Sequence, residues 1–204
     1  MPDYSRRKRG QRPIRNKMLI ICEGEKTEPL YFENYRTPQN NVDVIPIPSS
    51  RKDVGSIIKF AWKKMQDLDI KGGDSIWCVF DCDENTDDSI SKAYRDAGRS
   101  INMCLSNPSF ELWFLLHFSY IDTSLQNDGL LGLLKRHIPD YSKNNDCYQL
   151  IFPMTDTAIR NCKKLEQLHI NNGTEINSTK SNPSTQVYKI IEAIKQFNNI
   201  PETK

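Results

Sequence analysis

Short apolar runs alternate with helix-like segments over the first 118 residues, and this alternation constrains the fold more than any other feature of the chain. Lys17-Met-Leu-Ile-Ile-Cys22 is a continuous apolar run of the kind shown by a strand buried on both faces. A helix is expected from about Thr27 to Arg36, with Thr27 as its cap and Glu28 in the first turn. Val42–Pro48 reads as a second strand, and its prolines send it to a sheet edge. From Val54 the apolar residues Ile57, Ile58, Ala61, Trp62, Met65 and Leu68 recur at helical spacing, and Gly72-Gly73 closes the segment. Ser75–Phe80 is a third strand ending at Asp81. A helix near Asp87–Ala97 is stopped by Gly98, Ile101–Leu105 is a fourth strand, and Asn107-Pro108-Ser109 introduces a helix over Phe110–Phe118.

The pattern predicts an α/β domain with a mainly parallel sheet of about four strands flanked by helices. The rest of the chain is expected to be a mostly helical extension. Asn171–Ser184, rich in Asn, Ser, Thr and Gly, reads as a loop. Asn182-Pro-Ser-Thr185 reads as a cap for a last helix from about Thr185 to Asn198. Three parts follow: an arm over 1–17, an α/β core over 18–120, and a helical part over 121–204 packed on that core.

Charge separates the arm from the body. The total is +2. Residues 1–17 hold Arg6, Arg7, Lys8, Arg9, Arg12, Arg15 and Lys17 against Asp3 alone, a net +6, which leaves −4 for the remainder. An arm so poor in apolar residues is expected to be disordered when free and to suit salt-sensitive, sequence-independent contact with nucleic acid. No apolar run approaches the roughly 18–20 residues that cross a bilayer, and no signal-like segment opens the chain. The six scattered cysteines read as reduced core thiols of a cytoplasmic protein.

In an open parallel sheet the functional crevice lies outside the carboxyl ends of the strands. Those ends carry Glu23 after the first strand, Asp81 and Asp83 after the third, and Glu111 just beyond the fourth. Carboxylates gathered there repel one another unless a cation neutralises them. A hard, oxygen-seeking ion, Mg²⁺ or Mn²⁺, suits both the donors and phosphodiester chemistry. Each element also has a plainer use: Glu23-Gly24 as a polar turn, Asp81-Cys82-Asp83 as a solvated acidic turn, Glu111 as a partner for a helix N-terminus.

Glu23-Gly24 after one apolar strand and Asp81-x-Asp83 after another resemble the Toprim fold of topoisomerases, primases and certain nucleases. Three stretches sharpen the likeness: Glu23-Gly-Glu-Lys-Thr-Glu28-Pro-Leu-Tyr31-Phe32, Asn107-Pro-Ser109-Phe110-Glu111-Leu-Trp113-Phe-Leu-Leu-His117-Phe, and Asn182-Pro-Ser-Thr185. Together they resemble the RloB-like family, found beside restriction loci and in abortive phage-defence systems. The resemblance implies that Glu23 is a metal ligand or general base and that Asp81 and Asp83 bind metal. Ser109 and Glu111 are similar to the Ser-x-Glu element of the overcoming-lysogenization-defect nucleases, which makes Glu111 a further ligand. Those nucleases carry an acidic residue four positions after the first glutamate; here that place is Thr27, with Glu28 next. Their late lysine, which steadies transition-state charge, is matched to Lys143, with Lys163 and Lys164 as alternatives.

The expected function is Mg²⁺-dependent cleavage of RNA, such as a transfer RNA, or of DNA. The resemblance implies a partner ATPase; no Gly-rich loop ending Gly-Lys-Ser/Thr occurs in the sequence itself. A homo-oligomer is compatible with it. A noncatalytic nucleic-acid-binding or regulatory subunit is the alternative, and a phosphatase using Asp81 as nucleophile a weaker one. His117 reads as a core or boundary histidine, His137 and His169 have no metal-ligand spacing, and Trp62, Trp113 and Phe114 fall at core-type positions.

Overall fold

A computed structural model describes residues 15–83 and 85–199. Five strands form one sheet: β1 (Asn16–Cys22), β2 (Val42–Pro48), β3 (Ser75–Asp81), β4 (Asn102–Asn107) and β5 (Ser184–Thr185). Their order is β2-β1-β3-β4-β5, with β5 alone antiparallel. Pro46 and Pro48 do sit on an edge strand, where a missing N–H disturbs no second ladder. The pleat of β1 decides which residues feed which face. Met18, Ile20 and Cys22 join one core, and Leu19 and Ile21 the other.

Two helices cover the Leu19/Ile21 face. These are α2 (Val54–Asp67), capped by Asp53 accepting from the Ser56 N–H at 2.9 Å, and α3 (Asp87–Ala97), opened by a reciprocal Thr86–Ser89 capping box. Gly98 ends α3 with φ at +58°, a conformation that a residue without Cβ adopts at little cost. The opposite face is covered by α1 (Thr27–Glu33), α4 (Glu111–Leu115), α5 (Asn127–His137), α6 (Tyr148–Ile151), α7 (Thr155–Asn171) and α8 (Val187–Asn199). Leu130, Ile151, Cys162 and Ile191 share one core with Met18, Ile20 and Val79, so the C-terminal helices are the second layer of the same α/β/α sandwich.

Several sequence expectations shift. Helix α1 stops at Glu33, and Thr27 is its first residue, not its cap; the Thr27 hydroxyl donates to the Lys143 carbonyl instead (3.4 Å). Asn182-Pro-Ser-Thr185 leads into the short β5, which pairs with Ser106 and Asn107 of β4, and the last helix starts only at Val187. Asn182 is tied to the Leu125 backbone by both amide groups. Helix α4 is a five-residue segment, shorter than the apolar run Phe110–Phe118 suggested. Trp62 is 38% exposed, with its indole N–H on the Asp96 carbonyl, whereas Trp113 and Phe114 are buried as expected. His117 is buried, bonded to the Trp113 carbonyl, and its pKa is pushed down to about 4 by burial, so it is neutral. All six cysteines are free and buried. Among the described residues no helix is long and apolar enough to cross a membrane.

A candidate active site at the carboxyl edge of the sheet

The carboxyl ends of β1, β2 and β3 open into a cleft of about 390 Å³. Glu23, Asp81, Asp83, Glu111 and Lys143 all line it, with Gly24, Glu25, Lys26, Thr27, Glu28, Ser50, Arg51, Lys52 and Phe110. The parallel register explains how residues far apart in sequence meet: Cys22 lies level with Val79 and Pro48, so each chain leaves the sheet at the same edge. The loop after β3 is fastened by Asn85, which donates to the Asp81 carbonyl at 2.8 Å and accepts from the Val54 N–H at 3.2 Å.

Asp81 is the centre of strain. Its Oδ1 is buried and has no hydrogen-bond partner among the described residues. Burial, followed by repulsion from Glu28, Glu23, Glu111 and Asp83, holds its carboxyl well above the usual carboxylate range. Three of the other carboxylates are engaged by protein donors. Glu23 accepts the Asp81 N–H at 2.8 Å, and Asp83 accepts from Asn127 at 2.8 Å. Glu111, 3% exposed, accepts from the Ser109 hydroxyl at 2.9 Å and from the Tyr141 hydroxyl at 3.1 Å. The Lys143 amine stands 3.8 Å from Glu111, on a side chain that is 66% exposed. Among the described residues no three His, Cys, Asp or Glu side chains are already placed to hold a metal ion.

Glu28 answers the departure at position 27. Its buried carboxylate folds back onto the Gly24 N–H at 3.2 Å and lines the cleft, so an acidic group stands in the site one residue after Thr27. Burial raises its pKa, with the Glu111 charge a smaller contribution. Cys82, between the two aspartates, is no nucleophile: burial pushes its thiol up to about 11.

Sequence reasoning missed Tyr141, the second anchor of Glu111, and the basic side chains Lys26, Arg51 and Lys52. The last two follow β2, whose carboxyl end obeys the same edge rule as the other three strands and was passed over. It placed positive charge on the arm instead. Of the arm residues, Arg6, Arg7, Lys8, Arg9 and Arg12 lie outside the described residues. Arg15 donates to the Pro38 carbonyl, and Lys17 is a β1 residue whose amine is held by the Leu68 carbonyl at 2.8 Å. Neither lines the cleft, because both stand at the amino edge of β1, and seven residues at roughly 3.3 Å each separate the two ends of that strand. Lys163 and Lys164, on α7, do not line the cleft either; Lys163 pairs with Glu192 at 2.6 Å.

The donor set fits a hard divalent cation in one respect that does not depend on spacing. A buried carboxylate oxygen without a partner, ringed by four other carboxylates, is the group most relieved by positive charge. The comparison with curated proteins returns no match, and neither does that with solved structures. A family model described as RloB-like protein matches residues 18–194, from the first core strand to the last helix, and the chain therefore belongs to the RloB-like family.

Proposed function

We propose that the chain is a metal-dependent nuclease of Toprim type that hydrolyses phosphodiester bonds of RNA or DNA in defence against phage. The observation that carries this reading is the unpartnered Asp81 oxygen, buried at the sheet's carboxyl edge among Glu23, Glu28, Asp83 and Glu111, with basic side chains on the rim. Asp81, Asp83, Glu23 and Glu111 are the residues that would hold Mg²⁺ or Mn²⁺, with Glu28 beside them. Such an ion would supply Lewis-acid polarisation of a phosphoryl oxygen and lower the pKa of an attacking water.

The protein's own groups have separable tasks. Ser109 and Tyr141 fix the Glu111 carboxylate from two sides, so it meets a ligand without losing rotamer freedom on binding. Glu23, whose carboxylate already reaches the Asp81 backbone, couples the ends of β1 and β3 and would serve either as a ligand or as the base that takes a proton from an attacking water. Lys143, exposed beside Glu111, supplies positive charge toward a phosphate entering the cleft. The partner in this reading is an ATPase that holds the activity in check, since unregulated cleavage of cellular nucleic acid would be toxic.

The test is cleavage of labelled single-stranded RNA, transfer RNA and DNA by the wild type and by the Asp81→Ala/Asp83→Ala variant, with Mg²⁺, Mn²⁺ or EDTA. Cleavage confined to the wild type with metal is expected. Equal cleavage by both proteins in EDTA would falsify the reading. The alternative, a noncatalytic nucleic-acid-binding subunit of an ATPase complex, draws on the absence of a ready-made metal-ligand group among the described residues. It predicts binding that survives the double substitution and no cleavage, with the ATPase present, by either protein.

A further inference from the structure

The segment between β2 and α2 is short and fastened at both ends. The Ser49 N–H donates to the Cys22 carbonyl at 2.8 Å, joining it to the end of β1. Ser50 takes a left-handed backbone conformation, φ +52°, uncommon for a residue with a side chain. The Arg51 N–H then returns to the Ser49 hydroxyl at 3.2 Å, and Asp53 caps α2. Arg51 and Lys52 are thereby carried on a constrained turn, both exposed and both lining the cleft; the Arg51 guanidinium rests 5.6 Å over the Phe60 ring.

What these cations do not do is informative. Glu23, Glu25, Glu28, Asp81, Asp83 and Glu111 line the same cleft, yet Lys26, Arg51 and Lys52 form no ion pair with any carboxylate among the described residues. Opposite charges share one cleft without neutralising each other. Among the described residues that line the cleft, Lys143 is the one cation that approaches an acid. A ligand matching that division must present negative charge to the basic rim while one of its groups reaches the acidic floor. The cleft volume is in the range of a small-molecule pocket, roughly 300–1,000 Å³, so it takes one or two units of an extended chain at a time.

We infer that Arg51 and Lys52 bind backbone phosphates of a single-stranded nucleic acid, next to the phosphate that enters the acidic floor. The class of ligand rests on the nuclease reading above; the placement of the contact on the β2–α2 turn rests on the cleft. The turn sits at the same sheet edge as the carboxylates, so it aligns a strand beside them.

The experiment is fluorescence anisotropy of a labelled single-stranded 20-mer, as RNA and as DNA, with the full-length protein in EDTA and in Ca²⁺ across a salt series. Lys71→Ala/Arg99→Ala serves as the charge-matched control, because both residues precede strands at the opposite sheet edge. Arg51→Ala/Lys52→Ala is expected to weaken binding roughly 10-fold at moderate salt. The slope of log K against log salt should flatten by about 1.4, at about 0.7 for each lost phosphate contact. The control should keep wild-type affinity and slope. Equal slopes and affinities for wild type and Arg51→Ala/Lys52→Ala, losses matched by the control, or absence of wild-type binding in both conditions would each overturn the inference. Failure of the wild type to cleave, with these binding results intact, would count against the nuclease reading alone.

Discussion

Asp81→Asn is expected to make the metal-free protein more stable and, at the same time, to reduce metal-dependent cleavage by more than about 100-fold. Outer partners of a metal site already cost 10–100-fold when changed, and Asp81 is assigned to the site itself. The stability gain comes from the same feature. The Asp81 carboxyl has a buried oxygen without a partner and is repelled by four neighbouring acids, so burial and charge both favour its protonated form. A carboxyl whose folded pKa is raised contributes stability that is fully present below the unfolded value, about 3.9. That contribution is lost as pH rises through the folded value. In EDTA the Asp81 share of the stability should therefore be lost from the wild type as pH increases from about 4, and the asparagine variant escapes that loss. The share is about 1–3 kcal/mol, the usual scale for an unsatisfied buried polar group. Glu28, whose pKa is also raised by burial, adds a contribution of the same sign that the variant keeps. Urea melts in EDTA at pH 5 and pH 8 read the difference; a variant less stable than wild type at both pH values would contradict the assignment of strain to Asp81.

The second large effect is expected from Gly24→Ala. A Cβ built on Gly24 would lie 2.3 Å from the Glu28 Oε2, far inside contact distance. That oxygen is the tip of a flexible side chain, so the fold can absorb the methyl by swinging Glu28 aside. The backbone imposes no further demand, since Gly24 is not among the residues of positive φ. What changes is the placement of a buried acid: Glu28 can no longer rest on the Gly24 N–H. Cleavage should fall about 10–100-fold, the range found for groups that orient a metal site, with a melting temperature near that of wild type. Glu28→Gln should reproduce the loss. Full activity in Gly24→Ala would show that the position of Glu28 does not matter to the chemistry.

These two residues also show how far the sequence could be read. That Glu23, Asp81, Asp83 and Glu111 line one cleft was readable because parallel strands bring the segments that follow them to one edge. Helix α3 was readable to the residue because Thr86 and Gly98 bracket it chemically. Glu28 could be named as the acid beside position 27, but its contact could not, since it depends on a side chain turning back across four residues to a glycine. Tyr141 and Lys143 reach the site through the return of the chain after α5, fastened by Thr27 to the Lys143 carbonyl, a contact spanning 116 positions that no local pattern encodes. Strand β5 has only two residues, too few for any alternation to register. Trp62 shows a different limit: a helical period marks a face, but the edge of that face opens to solvent.

Diffraction from crystals of the protein soaked in Mn²⁺ shows whether the carboxylates around Asp81 hold a divalent cation. An anomalous peak is expected at oxygen-ligand distance, about 2.1–2.3 Å, from Asp81 and from at least two of Glu23, Asp83 and Glu111. Ordered side chains at these four positions with no peak among them, or a peak only at surface carboxylates elsewhere, would contradict it.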